Sequence, residues 1–190
     1  MLKWLFGSKS GSAVRGEDRV WMSRAARLKG VGREVEALAE ADRSVLVVAL
    51  TIAALDELAA ALAAQRPVRC ADVFARDALR ASLAKPGSVA IALSTALPAD
   101  GNPAAQAPVE VLVFGRNDSG AADEAIGRFA DALGPNAHIA FHLSLDDPLL
   151  QAFGGSLKPL LEKLDMREDE PIAHAMVTRA IRNAQAKNRA

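Results

Sequence analysis

The stretch Phe141-His142-Leu143-Ser144-Leu145-Asp146-Asp147-Pro148-Leu149-Leu150-Gln151-Ala152-Phe153-Gly154 reads as a strand that turns directly into a helix. Phe141, Leu143 and Leu145 alternate with His142 and Ser144, the two-residue period of a strand. Asp147 is placed to cap the helix, and Pro148 occupies its first position, where a missing N–H costs nothing. Leu149, Leu150 and Phe153 form the apolar face, and Gly154-Gly155 ends it. From Pro171 onward Ile172, Ala173, Met176, Val177, Ala180, Ile181 and Ala184 follow helical spacing.

Upstream, the same alternation of strand and helix repeats. Val20-Trp21-Met22 reads as a short edge strand. Arg24 to about Ala41 is a helix with Leu28, Val31, Val35 and Leu38 on one face. Ser44 to Leu50 is an apolar run of strand length without alternation, the mark of burial on both faces. Thr51 caps a helix reaching about Ala63. Val68 to Phe74 is a strand, Arg76 to Ala84 a helix, and Lys85-Pro86-Gly87 a break. Strands at Val89–Leu93 and Val109–Phe114 follow, then a helix at Ala121–Leu133. Strands alternating with helices imply parallel pairing and a three-layer α/β domain.

The chain has 190 residues, 51% hydrophobic and 24% charged, which suits one globular domain. Lys plus Arg balances Asp plus Glu at 23 each, so broad electrostatic binding of nucleic acid is not expected. Cys70 is the single cysteine; it excludes a disulfide framework and a thiolate metal cluster and fits a reducing cytoplasm. No apolar run approaches the roughly 20 residues of a membrane span. Residues 1–19 read as a flexible or amphipathic tail, too short in apolar length for a signal peptide. Within it Leu2, Trp4, Leu5 and Phe6, beside Lys3 and Lys9, offer a weak interfacial membrane contact; the alternative is packing on the domain or disorder. Gly7-Ser8-Lys9-Ser10 is not a phosphate loop, because no strand precedes it and the spacing is wrong.

The run from Phe141 to Gly154, continued by Leu164-Asp165-Met166-Arg167-Glu168-Asp169-Glu170-Pro171-Ile172-Ala173-His174-Ala175-Met176-Val177, resembles the end of the second nucleotide-binding domain of SecA-type preprotein translocase motors. Leu5-Phe6-Gly7-Ser8 matches the opening of that family. Val45-Leu46-Val47 through Asp56 and Gly87-Ser88-Val89-Ala90-Ile91-Ala92 are similar to two of its central strands, so the likeness runs from Val20 onward. The resemblance implies a single RecA-like α/β domain with a mainly parallel sheet over residues 20–155. Helices packed on that domain are expected over 156–190.

The resemblance also says what is missing. Phosphoryl transfer needs a phosphate cradle, Mg²⁺ carboxylates and a cation at the developing charge. The family supplies the first two from another domain, for which this chain has neither a Walker loop nor a strand ending in paired acids. In the nucleotide-facing loops of the present domain, Val48 and Ala49 stand for the family's Gly-Thr. Leu97 and Pro98 fall in the stretch of a glycine-rich, arginine-bearing loop. Counting back from Leu143-Ser144-Leu145, Phe129 and Ala132 take the places of two arginines, with Arg128 one position away, about 100° round a helix. The resemblance with these losses implies a chain that is not an enzyme, with no catalytic residue, cofactor or metal.

Other candidates have structural readings. Asp146-Asp147 could hold a metal but reads as cap and dipole complement. His138 and His142 lie on one strand face about 13 Å apart, too far to share a zinc. Leu93 to Pro108 is a turn-rich loop. The apolar replacements Val48, Leu97, Phe129 and Leu133 predict a patch that seeks another surface. The resulting expectation is a cytoplasmic, catalytically inactive module that binds a protein partner or itself, linked by descent to the export machinery. The alternative is the ATP- or ADP-binding half of a split translocase ATPase completed by a second chain.

Overall fold

The computed structural model describes residues 11–99, 108–118, 120–151 and 169–187. Its strands are β1 (Val14–Arg15), β2 (Arg19–Trp21), β3 (Ser44–Ala49), β4 (Val68–Cys70), β5 (Val89–Leu93), β6 (Val109–Phe114), β7 (Ala137–Ser144) and β8 (Ile172–Ala173). The helices are α1 (Arg24–Glu40), α2 (Ile52–Ala61), α3 (Arg76–Leu83), α4 (Ala121–Leu133), the single turn α5 (Pro148–Gln151) and α6 (Ala175–Lys187). The strands form one sheet in the order β4-β5-β3-β6-β7-β2-β8, with β1 also on β7. Every pairing is parallel except β2 with β8.

The apolar runs explain this order. All six residues of β3 are buried, as a central parallel strand covered on both faces requires. Val45, Val47, Leu112 and Phe114 face α1 and α2, meeting Val31, Val35, Leu55 and Leu58. Leu46, Val48, Val111 and Val113 face the other layer, where α3, α4, α5 and α6 bring Leu79, Ile126, Phe129, Leu149 and Ile181. The cap expected at Thr51 is in place, and Ser23 supplies one for α1. Ser23 Oγ accepts from Ala26 N at 3.1 Å and Thr51 Oγ1 from Ala54 N at 3.2 Å, each contributing about 1 kcal/mol.

Three expectations are revised. The tail is not free up to residue 19, because Ala13 is buried and β1 is already paired with β7. Val14 lies opposite His138 but Arg19 opposite His142. One strand has thus been broken by a single extra residue, as in a bulge. β2 is not an edge, since β8 closes over it. The helix expected from Pro171 starts later: Ile172 and Ala173 pair with β2, and His174 Nδ1 accepts from Met176 N at 3.2 Å to begin α6. Ile and Ala fit either period over two residues, so pairing decided the outcome. Leu2, Trp4, Leu5 and Phe6, most of the 94–108 loop, and the stretch 152–168 lie outside the described residues.

Candidate functional site

An open α/β sheet places its binding crevice at the carboxyl ends of adjacent strands whose connections leave in opposite directions. Here those strands are β3, which leads to β4, and β6, which leads to β7 on the other side. The crevice between them is occupied by the protein itself. Gly115, directly after β6, has φ +106, and a Cβ there would lie 3.5 Å from Leu50 Cδ1 and 3.8 Å from Arg27 Nη1. The Arg27 guanidinium, from the first turns of α1, sits 4.0 Å above the Phe114 ring. Its Nη1 donates to Asp147 Oδ2 at 2.6 Å. Burial lowers the Arg27 pKa, an effect opposed by Asp147.

Asp147 therefore does more than begin a helix. Its carboxylate turns back to accept from Ser144 N at 3.0 Å and Ser144 Oγ at 3.1 Å, while its own carbonyl receives the α5 amides. Asp146 points elsewhere, accepting from Arg24 N at 2.7 Å at the amino end of α1, where a negative charge complements the helix dipole. The two acids diverge and do not form a metal pair.

The positions assigned from sequence to lost nucleotide contacts fall into three places. Val48 and Ala49 are interior residues of β3 with no exposure. Leu97 and Pro98 are buried beyond β5, and Arg76 donates to the carbonyls of Ala96 and Leu97 at 2.7 and 3.0 Å. Phe129 and Leu133 are buried in the second half of α4, Ala132 and Arg128 exposed there. That half runs back toward the amino edge of the sheet, away from the crevice. Val48, Leu97, Phe129 and Leu133 share one core cluster. They are therefore not an exposed patch, and the expected partner surface through them is corrected. The chain's own helices cover these residues, so they leave no unpaired face.

Sequence reasoning missed a second polar centre beside the crevice. Arg116, just after β6, stacks 3.8 Å over Phe141. It donates to Asp18 Oδ1 at 2.5 Å and to Asp123 Oδ2 at 2.9 Å. Asp123 also accepts from Asn117 N at 3.1 Å and from Gln185 Nε2 at 2.6 Å. Asp18 comes inward at the strand break, and its amide donates to Thr178 Oγ1 at 2.9 Å. Burial raises the Asp18 pKa against the pull of Arg116. A cavity of about 370 Å³ lies alongside, lined by Arg15, Arg116, Asp123, Phe141, Arg182 and Gln185. The signal was a charged residue abutting the strand end in Val113-Phe114-Gly115-Arg116.

The third buried polar group is His142, without exposure. Trp21 Nε1 donates to its Nδ1 at 3.3 Å, placing the ring proton on Nε2, 3.6 Å from Glu34 Oε2. Burial, with Arg19 and Arg27 adding to it, pushes its pKa down to about 3. His138 joins a different cluster, with Arg43 and Glu110. Cys70 is buried, and burial raises its thiol pKa. Among the described residues there is no group of three His, Cys, Asp or Glu side chains able to hold a metal. Among them too, no helix is long and apolar enough to cross a membrane.

Comparison with known proteins places this geometry. No family model matches the chain. It is 31% identical over 180 residues to the protein translocase subunit SecA of Desulfotalea psychrophila, covering 90% of this chain and 21% of that protein. The SecA of Syntrophobacter fumaroxidans gives 30% over 182 residues with the same coverage. That of Acidithiobacillus ferrooxidans reaches 54% over 48 residues, 25% of this chain and 5% of that protein. The chain thus spans about a fifth of the length of the SecA proteins it matches most fully. Among solved structures, the C-terminal part of the Fun30 ATPase domain shares the fold, with a TM-score of 0.50 at 13% identity over 85% of this chain and 53% of that one. The chain is thus similar to a segment of SecA over 90% of its length, and it has a RecA-like α/β fold.

Proposed function

We propose that this domain works by binding protein, in connection with export, and does not hydrolyse nucleotide. One observation carries the reading: Leu50 and Arg27 fill the crevice between β3 and β6, with Arg27 committed to Asp147 and Phe114. A nucleotide phosphate there would have to displace a buried, paired guanidinium, at a cost of about 3–5 kcal/mol. Arg116, which also follows β6, is committed to Asp18 and Asp123. Phosphoryl transfer gains its rate from free, preorganised positive charge at the γ-phosphate. Isothermal titration with Mg·ATP and Mg·ADP tests the reading. No heat of binding up to millimolar nucleotide is expected. Micromolar binding, or hydrolysis that appears when a second chain is added, would instead support the half of a split translocase ATPase.

A further inference from the structure

We propose that residues 11–16 form a strap that opens on a hinge just before Asp18 while β2 stays in the sheet, and that the negative charge of Asp131 sets how often it opens. The proposal stands apart from the reading of this domain as a protein-binding module. The strap is lightly held. Ala13 is buried, but Val14 and Arg15 are both exposed, Val14 to 53%. Pairing of β1 with β7 therefore brings little apolar burial, and segments of that kind open first.

Register separates the strap from the strand that follows. Val14 lies opposite His138 and Arg19 opposite His142, so five positions on one side span four on the other. Gly16 and Glu17, both exposed, lie at this break. Beyond them Asp18 is a fixed post, 1% exposed, held by Arg116 and through its amide by Thr178. A broken ladder lets motion on one side stop at the post.

One acid fastens the strap to α4. Asp131 Oδ2 accepts from Arg15 Nη2 at 2.8 Å, and its Oδ1 accepts from Ala13 N at 3.2 Å. A Cβ on Gly127 would lie 2.7 Å from Arg15 Nη1, so the guanidinium lies against the helix because that position is bare. The Arg15 and Asp131 side chains are 47% and 32% exposed, and salt screens a pair of that kind. On the β7 side, Gly16 N donates to Ile139 O at 2.9 Å. Opening frees the edge of β7 at His138 and Ile139 and takes Arg15 and Gly16 out of the lining of the cavity beside Arg116. Elsewhere in that lining Arg116 and Gln185 stay bonded to Asp123. The strap is thus a gate on the cavity, with Asp131 as its latch.

Amide hydrogen exchange of the full chain, followed by NMR, tests the latch. Gly16 reports the strap. Leu145, whose amide donates to Trp21 O at 3.0 Å, reports the pairing of β2 with β7. We expect Gly16 to be protected, but at least about tenfold less than Leu145. Asp131→Asn should speed Gly16 exchange at least about threefold while Leu145 keeps its rate. Salt at about 1 M should speed Gly16 relative to Leu145 in the unaltered protein, and less in the variant. Gly127→Ala, a better helix former, should also speed Gly16, because its methyl displaces Arg15 from the latch. Equal protection at the two amides, or none at Gly16, overturns the proposal. So does a Gly16 rate indifferent to Asp131→Asn or to salt, or slowed by Gly127→Ala. Acceleration of Leu145 together with Gly16 overturns it as well, since the whole domain would then be weakened and not the strap.

Discussion

The Arg27 guanidinium lies 4.0 Å over the ring of Phe114 while its Nη1 holds Asp147 at 2.6 Å, joining α1, the end of β6 and the start of α5 in one contact. Arg27→Met keeps much of the stem but leaves Asp147 without its cation. We expect a loss of about 3 kcal/mol, read from urea unfolding. Because Leu50 and Phe114 remain in the crevice, the variant should still give no calorimetric signal with ATP.

Arg116 stands between two carboxylates, with side-chain exposures of 7% for Arg116, 1% for Asp18 and 7% for Asp123. Arg116→Met removes the cation bonded to both acids and should cost about 3–5 kcal/mol at neutral pH. The loss should shrink as pH is lowered, because burial raises the Asp18 pKa and its protonated carboxyl tolerates burial. Denaturation curves at pH 7 and pH 4.5 check this. Equal losses at both values would show that packing on Phe141, not charge, is the larger part.

Gly30 of α1 is a close-approach position rather than a flexible one. A Cβ there would meet the Trp21 ring at 1.9 Å. Alanine is the better helix former by about 1 kcal/mol, so propensity alone predicts stabilisation by Gly30→Ala. The clash predicts a net loss of about 1–3 kcal/mol, with a displaced indole. Tryptophan emission and thermal unfolding of the variant distinguish these outcomes.

His142 fixes the sign of one pH dependence. Its folded pKa of about 3 lies below the usual 6.5, so between these values the unfolded chain binds the extra proton. Stability from this group is complete above pH 6.5 and falls on acidification by up to about 1.4 kcal/mol per pH unit. Asp18, raised by burial, works oppositely from about pH 3.8 upward. Comparing the protein with His142→Gln isolates the histidine: the slope from pH 6.5 to 5 should flatten in the variant.

The sheet was legible because its central strands are uninterrupted apolar runs and α2 carries its own cap: Val45 to Ala49 and Thr51 fell where the residues placed them. What remained hidden were charges that fold inward. Arg27 and Arg116 look like ordinary surface arginines until Asp147 and Asp18, 120 and 98 positions away, supply their partners. Val48 and Phe129 erred in the other direction. Substitution by apolar residues in a binding loop and burial in one's own core leave the same letters, and only the third dimension separates them. Asp147 was placed correctly yet given half its role, since a side chain that reaches backward is invisible to a forward count.

The pairing of β2 between β7 and β8 has a consequence in time. The amide of Asp18 is bonded to Thr178, 160 positions along the chain, and Arg27 to Asp147, 120 positions along. Contacts so remote in sequence must wait for long loop closures, which slow the search for the native state. On the ribosome, β2 emerges well before β7 and β8, the strands it pairs with. A chaperone or a pause in synthesis that shields Val20 and Trp21 during that interval would raise the yield of folded protein without altering its final stability.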